Sequence, residues 1–245
     1  MNADYPGAIV VEAANYGYFS GNRPLAWCLH TPEEPADDDP QTPYYFHNTN
    51  RDASTTYFVS YWGFVFQCVP ESEGAYANAV EGKPYPDWAD STRNLNLQTL
   101  SVEIEGFAAS IHQTMPRGSP QWKALVELMA HRCKALNIPP ERTFGHYEVS
   151  IYRSDPGQLN TQQVIADVIT KMEKDMVTDA QFEALQAQVN EIQRTAYTQA
   201  GVDVYAAGLR QEIIDAVAPL QAQIDALETA QRAVGLKRGD SVQLT

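Results

Sequence analysis

The composition of the chain changes near residue 175, and this change divides the sequence into two parts that fold by different rules. Before it, aromatic residues, prolines and glycines are dense and the apolar runs are short. After it, the chain is rich in Ala, Gln, Glu and Leu and contains a single proline, Pro219. We therefore predict a first domain of short mixed elements over residues 1–173 and a helical tail over residues 174–245.

The first part contains short apolar runs typical of strands and two stretches with helical spacing. The strands are predicted at about residues 7–12, 25–30, 55–61, 63–69 and 99–105. Gly63 is expected to form the turn of a hairpin, because glycine tolerates a positive φ. One helix is predicted over residues 120–136 with Ser119 as its N-cap, and a second from Asn160 or Thr161 onward. Strands mixed with helices indicate an α/β or α+β sheet domain.

A long polar segment, residues 31–56, follows the second predicted strand and is predicted to be irregular. Its first ten residues contain three prolines and five acidic residues. This acidic run is either a solvated loop or a flap beside a functional site, since long loops in compact domains are often functional.

The tail shows two stripes of apolar residues at heptad-like spacing. The stripes consist of Phe182, Leu185, Val189 and Ile192, and of Leu209, Ile213, Val217, Leu220, Ile224 and Leu227. Spacings of three and four residues are typical of coiled-coil-like helices. Pro219 is expected to bend the second helix or to mark its restart. Self-association into a homo-oligomer, packing on the first domain and packing of the stripes on each other all remain open.

Charge and apolar content argue against several classes of function. The 245 residues carry a formal net charge of −14, which argues against nucleic-acid binding because phosphate contacts need clustered Lys and Arg. The N-terminus has no basic stretch followed by a long apolar run, so we expect no secretory signal and synthesis in the cytoplasm. The most apolar stretch, residues 57–69, is too short and interrupted for membrane insertion. The three cysteines show no close pairing and are expected to be reduced.

Three polar residues that lie far apart in the sequence have the chemistry of a mononuclear zinc site. His30 ends an apolar strand, His146 follows a glycine, and Asp155 precedes a Pro-Gly turn pair. Three protein ligands leave the fourth tetrahedral position open for water, which distinguishes a catalytic zinc from a structural one. Glu103 and Arg153 are the kinds of residue that such a site needs for proton transfer and for stabilising an oxyanion.

Two neighbouring residues offer alternatives for these roles. Cys28 precedes His30 by two residues, so the two side chains share one face of a strand, and Cys28 is an alternative metal ligand. Glu105 shares a face with Glu103 in the same way. Only one of these two carboxylates is expected to meet a metal-bound water.

Four motifs stand in order along the first part of the chain. They are His-Thr from residue 30, Val-Glu-Ile-Glu-Gly from residue 102, Gly-His-x-Glu-Val-Ser from residue 145 and Arg-Ser-Asp-Pro-Gly from residue 153. This order resembles the zinc-dependent N-acetylmuramoyl-L-alanine amidases of type 2, over roughly residues 8–170. That family includes phage endolysins, bacterial cell-wall amidases and peptidoglycan recognition proteins.

The resemblance implies an α/β fold with a mixed central β-sheet flanked by helices. It implies an enzyme that hydrolyses the amide bond between N-acetylmuramic acid and L-alanine in peptidoglycan. It also implies His30, His146 and Asp155 as ligands of Zn²⁺, and it favours Glu103 as the group that handles the proton of the metal-bound water. Arg153 falls where the family usually carries a catalytic Lys. An endolysin of this kind acts on the cell wall after release, with the tail as a wall-targeting or oligomerising element.

The chain departs from the family pattern at three places, although none of them removes a ligand. Thr55 stands where many members carry a Tyr, Tyr76-Ala77 replaces a common Trp-His pair, and Arg153 replaces the Lys. These departures leave open a non-catalytic peptidoglycan-binding module. The heptad-like tail likewise leaves open a virion-associated or other assembly-associated protein.

Overall fold

A six-stranded β-sheet forms the centre of the first of two compact units, Met1–Glu173 and Lys174–Thr245, in a computed structural model of the chain. The structure describes residues 1–17, 21–37, 40–174, 179–198 and 206–233. The strands are β1 (Ile9–Val10), β2 (Ala26–His30), β3 (Tyr57–Val59), β4 (Val65–Gln67), β5 (Thr99–Ile104) and β6 (Thr143–Gly145). The helices are α1 (Thr42–Asn48), α2 (Ile111–Thr114), α3 (Pro120–Leu136), α4 (Thr161–Lys174), α5 (Asp179–Thr198) and α6 (Ala206–Ala233).

The order of strands across the sheet is β1-β4-β3-β5-β2-β6. The β3–β4 pair is antiparallel and the other neighbours are parallel. The predicted α/β fold with a mixed central sheet flanked by helices is therefore confirmed. In the antiparallel hairpin, Gly63 has a φ of +83° as predicted. A Cβ at this glycine would lie 2.7 Å from the carbonyl oxygen of Pro120, so only glycine fits between the turn and α3.

The two faces of the sheet have different chemistry, because successive side chains of a strand point to opposite sides. On one face, Trp27 and Leu29 of β2 belong to a large apolar cluster with buried residues of α3 and α4. On the other face lie Cys28 and His30, both buried. All five residues of β2 are buried, as expected for a parallel strand covered on both sides. The polar functional side chains therefore come from the face opposite α3 and α4.

Local signals fix the position of α3, whose predicted bounds are confirmed. The Ser119 hydroxyl accepts a hydrogen bond from the Trp122 N–H at 3.2 Å, and Pro120 is the first helical residue. The helix ends where Asn137 adopts a left-handed conformation with a φ of +55°. The helix predicted to follow Asn160 is also present, as α4.

The sequence did not predict three elements of the first unit, α1, α2 and β6. Residues 31–56 were expected to be irregular, but they contain α1, whose first turn carries a proline and whose Phe46 is buried against the neighbouring loops. Aromatic residues have low helix propensity, so seven residues rich in them give a weak helical signal. Strand β6 was not predicted, because three residues are too short to show alternation. Residues 38 and 39 of the acidic run lie outside the described residues.

The second unit contains the two predicted helices, α5 and α6, which pack against each other. Val189 of α5 and Ile224 of α6 are buried. They are surrounded by Leu185, Val217, Leu220 and Leu227. Helix α6 continues through Pro219, so the predicted restart at this residue is wrong. The side chains of Phe182, Leu209 and Ile213 lie outside the described part of the chain. Self-association of the tail stays a prediction.

Among the helices that the structure describes, each is too short or too polar to cross a bilayer.

Candidate metal centre and active site

The sheet brings His30 and His146 together at one edge. Strands β2 and β6 are parallel neighbours in which Leu29 pairs with Gly145, so the residues that follow this pair lie side by side. His30 is the last residue of β2, and His146 opens a short 3₁₀ turn after β6. Their ring centroids are 4.6 Å apart. The carboxyl ends of parallel strands commonly carry functional groups for this reason.

A turn brings Asp155 to the two histidines. The Tyr147 N–H donates to the Asp155 carbonyl oxygen at 3.1 Å, which ties the turn to the residue after His146. Gly157 closes the turn with a φ of +60°. A Cβ at Gly157 would lie 2.2 Å from the carbonyl oxygen of Ala108, so a larger residue would push the turn away.

The three side chains form a compact group of metal-type ligands. His30, His146 and Asp155 are buried, and one ligand atom from each lies within 4.8 Å of the others. Asp155 Oδ2 is 2.8 Å from His30 Nδ1 and 3.4 Å from His146 Nδ1. Two ring nitrogens thus converge on one carboxylate oxygen in a buried place, an arrangement that a shared cation stabilises. Two imidazole nitrogens and a carboxylate are also a ligand set that zinc uses.

Electrostatics favour the ionisation states of His30 and Asp155 that metal ligands need. Burial lowers the pKa of His30, although Asp155 opposes this effect. Burial alone would raise the pKa of Asp155, but hydrogen bonds with His146 and His30 outweigh it, and the pKa lies well below its usual range. A neutral imidazole and an ionised carboxylate are the forms that bind a metal.

Glu103 lies beside this group. It pairs with His30 in the β2–β5 register and therefore points to the same face of the sheet. Its Oε2 atom is buried and has no hydrogen-bond partner among the residues that the structure describes. Burial, helped by the negative charges of Asp155 and Glu34, raises the pKa of Glu103 to about 8. Glu103 is therefore a carboxyl group whose proton affinity is high and whose oxygen is free.

Glu105, the alternative to Glu103, has a different environment. Its carboxylate accepts hydrogen bonds from the Tyr61 N–H at 2.6 Å and from the Asp37 N–H at 3.1 Å. Its side chain thus holds two loops by their backbone. Of the two glutamates that the sequence left open, Glu103 lines the cavity with the histidines, and Glu105 is engaged in loop contacts.

Arg153 lines the same cavity and has an exposed side chain. Within the described residues its guanidinium forms no ion pair. Its positive charge opposes the rise in the pKa of Glu103, so the two groups interact electrostatically across the cavity.

Cys28, the alternative ligand, lies two residues before His30 in β2, where it is buried and pairs with Ser101 of β5. Cys28 is not among the side chains whose ligand atoms converge at the site, and burial raises the pKa of its thiol.

The cavity around these residues has a volume of about 360 Å³. Tyr45, Tyr76 and Tyr152 stand around it, and Tyr152 is 76% exposed. A larger cavity of about 700 Å³ lies elsewhere, beside Trp88 and Phe144, and it contains none of the three ligands. We assign the chemistry to the smaller cavity, since reactive groups and not size define an active site.

Sequence reasoning missed one polar residue that touches the site. Asn78 is buried, and its Oδ1 lies 2.7 Å from His30 Nε2. The signal was present in the sequence, because Asn78 directly follows Tyr76-Ala77, where the chain departs from the family's Trp-His pair.

Three solved structures have a similar fold. A selenomethionine derivative of AmpD matches with a TM-score of 0.51 and 16% identity, over 67% of this chain and 95% of that chain. The N-acetylmuramoyl-L-alanine amidase LysC from Clostridium intestinale URNW matches with a TM-score of 0.48 and 15% identity, over 67% and 99%. The Ph2119 endolysin from Thermus scotoductus MAT2119 bacteriophage Ph2119 has a TM-score of 0.43 and 21% identity, over 62% and 89%. At these identities the similarity concerns the fold alone. Of the three, the AmpD structure supports it, because its TM-score is above 0.5.

No curated protein matches the chain. The model of the N-acetylmuramoyl-L-alanine amidase family (Amidase_2), in contrast, matches residues 20–158. These residues make up more than half of the 245 and include His30, Glu103, His146 and Asp155. They also span β2 to β6 and thus the strands that build the cavity. The chain therefore belongs to the family of N-acetylmuramoyl-L-alanine amidases.

Proposed function

We propose that this protein is an endolysin-like peptidoglycan amidase that uses zinc held by His30, His146 and Asp155. The bond cleaved is the amide between the lactyl group of N-acetylmuramic acid and L-alanine of the stem peptide. The observation that carries this proposal is the convergence of three buried ligand atoms within 4.8 Å beside the unpartnered carboxyl oxygen of Glu103. Action on the cell wall after release from the cell is part of the proposal.

The ligand chemistry supports zinc. The set contains two imidazoles and one carboxylate, and it leaves one tetrahedral position for water or substrate. When bound, zinc would supply Lewis acidity that brings the pKa of water to about 7 and polarises a carbonyl group. His30, His146 and Asp155 would hold the ion, since all three are buried and lie at the ends of β2 and β6 and in the Asp155 turn.

Glu103 is proposed to move the proton. Its free carboxyl oxygen takes a proton from the attacking water and gives it to the departing nitrogen of L-alanine. A general acid–base group works best when its pKa lies near the working pH, and burial raises the pKa of Glu103 into this range. One residue can thus serve as base in the first half of the reaction and as acid in the second.

Arg153 is proposed to stabilise the negative charge that develops on the carbonyl oxygen. A guanidinium group carries five N–H donors and a delocalised positive charge. The proton transfer is accordingly assigned to Glu103 alone. Loss of one oxyanion donor typically costs about 10²–10³ in rate.

The test combines metal content with product analysis. Zinc per chain and new L-alanine amino termini from purified peptidoglycan are measured for the wild type, His146→Ala and His112→Ala. His112 is exposed on α2, away from the cavity, and serves as the matched control. We expect about one zinc per chain and free alanine termini for the wild type and the control, and loss of both in His146→Ala. Zinc binding without new termini would favour the binding-module alternative. A wild type that digests walls without zinc would refute the mechanism.

Thr55 is one of the departures from the family pattern, and its hydroxyl is engaged in the protein interior. Thr55 is buried, and its hydroxyl lies 3.1 Å from the Tyr57 carbonyl oxygen and 3.1 Å from the Ser101 hydroxyl. This departure from the family thus belongs to a packed network of hydroxyl groups, and the three ligands remain.

A role of the α5–α6 tail in wall targeting or oligomerisation is a separate proposal, which rests on the heptad-like apolar stripes of the sequence. Part of these stripes is already buried between α5 and α6. Sedimentation of the full chain over a range of concentrations tests it. A concentration-independent monomer would exclude oligomerisation.

A further inference from the structure

We propose that Asn78 is a positioning residue that, together with Thr99, sets the hydrogen on Nε2 of His30 and leaves Nδ1 free to bind the metal. The proposal rests on the zinc site of the proposed function. It concerns a chain of four buried groups: the Leu95 carbonyl, the Thr99 hydroxyl, the Asn78 amide and the His30 ring.

The chain of hydrogen bonds begins at a group whose role is fixed. The Leu95 carbonyl oxygen is an acceptor only, and it lies 2.9 Å from Thr99 Oγ1. The Thr99 hydroxyl must therefore donate its single hydrogen to Leu95. Thr99 Oγ1 also lies 2.6 Å from the Asn78 side chain, and it can act only as the acceptor there. The Asn78 group that faces Thr99 is accordingly the NH₂ group.

This assignment fixes the other end of the amide. With Nδ2 turned to Thr99, the Asn78 Oδ1 atom faces His30 Nε2 at 2.7 Å. An amide oxygen can only accept, so His30 Nε2 must carry a hydrogen. A neutral imidazole has one N–H, so the form of the ring that can bind a metal has its hydrogen on Nε2 and its lone pair on Nδ1, whereas in the metal-free protein a hydrogen on Nδ1 can be shared with Asp155. Nδ1 is the atom that lies 2.8 Å from Asp155 Oδ2, inside the ligand group.

His146 is oriented by the next residue of the same loop. Its Nε2 lies 3.4 Å from the carbonyl oxygen of Ala79, which is again an acceptor only. Nε2 of His146 must donate to this carbonyl, and its Nδ1 faces Asp155. Two adjacent residues, Asn78 and Ala79, thus direct the same nitrogen of both histidines to one point.

The loop that carries Asn78 is itself anchored near the start of the chain of bonds. Asn96 Oδ1 accepts from the Asn78 N–H at 2.7 Å and from the Ala77 N–H at 3.4 Å. Asn96 belongs to the 3₁₀ turn Leu95–Leu97, the turn that also supplies the Leu95 carbonyl. One turn therefore holds both the backbone of the loop and the orientation of the Asn78 side chain.

The proposed role follows from a competition at His30. The Asp155 carboxylate next to Nδ1 attracts a hydrogen to that nitrogen, and such a hydrogen would block the metal. An acceptor at Nε2 opposes this, since it holds the hydrogen on the far side of the ring. Partners of this kind around metal ligands typically change metal affinity or activity by about 10–100-fold.

The experiment measures zinc affinity by competition with a chelator for the full-length wild type and three variants. Asn78→Leu removes the acceptor at similar size. Asn78→Asp keeps an oxygen opposite His30. Asn15→Leu is the matched control, because the Asn15 amide likewise donates to two backbone carbonyls, those of Thr49 and Arg51, and bonds to no member of the chain of hydrogen bonds. We expect zinc affinity to fall about 10–100-fold in Asn78→Leu and to stay within a few-fold of the wild type in the other two. Equal affinity in Asn78→Leu and the wild type would overturn the proposal.

Nitrogen-15 NMR of the histidines shows which ring nitrogen carries the hydrogen and which binds the metal. A purely structural role of Asn78 makes no prediction about this assignment. In the zinc-loaded wild type we expect His30 to carry its hydrogen on Nε2 and the metal on Nδ1. Metal on Nε2 would overturn the proposal, and this result needs no variant to fold. A wild type that binds no zinc would instead refute the proposed function, so the two failures are distinguishable.

Discussion

Replacing Glu103 by glutamine is expected to lower kcat and to raise the stability of the metal-free protein. The chemical role of this carboxyl group and its effect on stability can therefore be measured separately. Glutamine has the same shape but cannot accept the proton. Loss of general acid–base catalysis costs about 10²–10⁴ in rate, which corresponds to about 2.7–5.5 kcal/mol of barrier. We expect kcat on peptidoglycan to fall by this factor in Glu103→Gln, with zinc content unchanged.

Stability of the metal-free protein should rise in the same variant. The folded-state pKa of Glu103 is about 8, against an ordinary value of 4.5. A raised pKa means that the unfolded chain releases this proton first, so wild-type stability falls as the pH rises from about 4.5 to about 8. At pH 7, which is about 2.5 units above the unfolded-state pKa and still below the folded-state pKa, the loss of stability is about 3 kcal/mol. Glutamine does not titrate and escapes this loss.

Thermal melts of metal-free wild type and Glu103→Gln from pH 4 to pH 8 measure this effect. The difference in Tm should be near zero at pH 4 and should grow with pH. Glu105→Gln is the control, because it weakens the two backbone hydrogen bonds from Tyr61 and Asp37. Hydrogen bonds to a charged group contribute about 1.5–3 kcal/mol, so this variant should lose stability and keep most of its kcat. A Glu103→Gln enzyme with wild-type kcat, or a Tm difference that does not depend on pH, would refute the reasoning.

Three further predictions concern the metal, the cation and the turn. Chelation of zinc should abolish wall digestion and lower the Tm, since a ligand at 100 times its Kd contributes about 2.7 kcal/mol. In Asp155→Ala, chelation should leave the Tm unchanged, because this variant lacks one of the three zinc ligands. Arg153→Ala should lower kcat about 10²–10³-fold, while Arg153→Lys should keep most of it; equal rates for both variants would contradict a role of the charge. Gly157→Ala should destabilise the fold, because its Cβ would meet the Ala108 oxygen at 2.2 Å. Urea unfolding compares it with Gly118→Ala, whose φ is also positive but whose Cβ would meet no described atom within 4 Å; equal losses would exclude the steric cause.

Local chemistry explains which elements could be predicted from the sequence. Helix α3 has its N-cap, its first-turn proline and its apolar spacing all within 20 residues, so its bounds follow from neighbours along the chain. Strands β2 and β5 are apolar runs that end in polar residues. In contrast, α1 is stabilised mainly by burial of Phe46 against distant loops. Strand β6 exists because β2 offers it a partner. Such elements depend on tertiary contacts, which local patterns do not contain.

The sequence by itself determined the candidate ligands, the family and the face of β5 that carries the proposed acid–base group. Ligand chemistry belongs to residue types, and the face belongs to the alternation of a strand, so both are visible without coordinates. Only the tertiary structure separated Glu103 from Glu105 and revealed Asn78. Glu103 and Glu105 are two residues apart, so alternation alone does not distinguish them. In the structure the backbone N–H groups of Tyr61 and Asp37 donate to the Glu105 carboxylate, whereas the Oε2 atom of Glu103 has no hydrogen-bond partner among the described residues. Asn78 acts on a histidine 48 residues away, through a hydrogen bond that exists only because the chain folds.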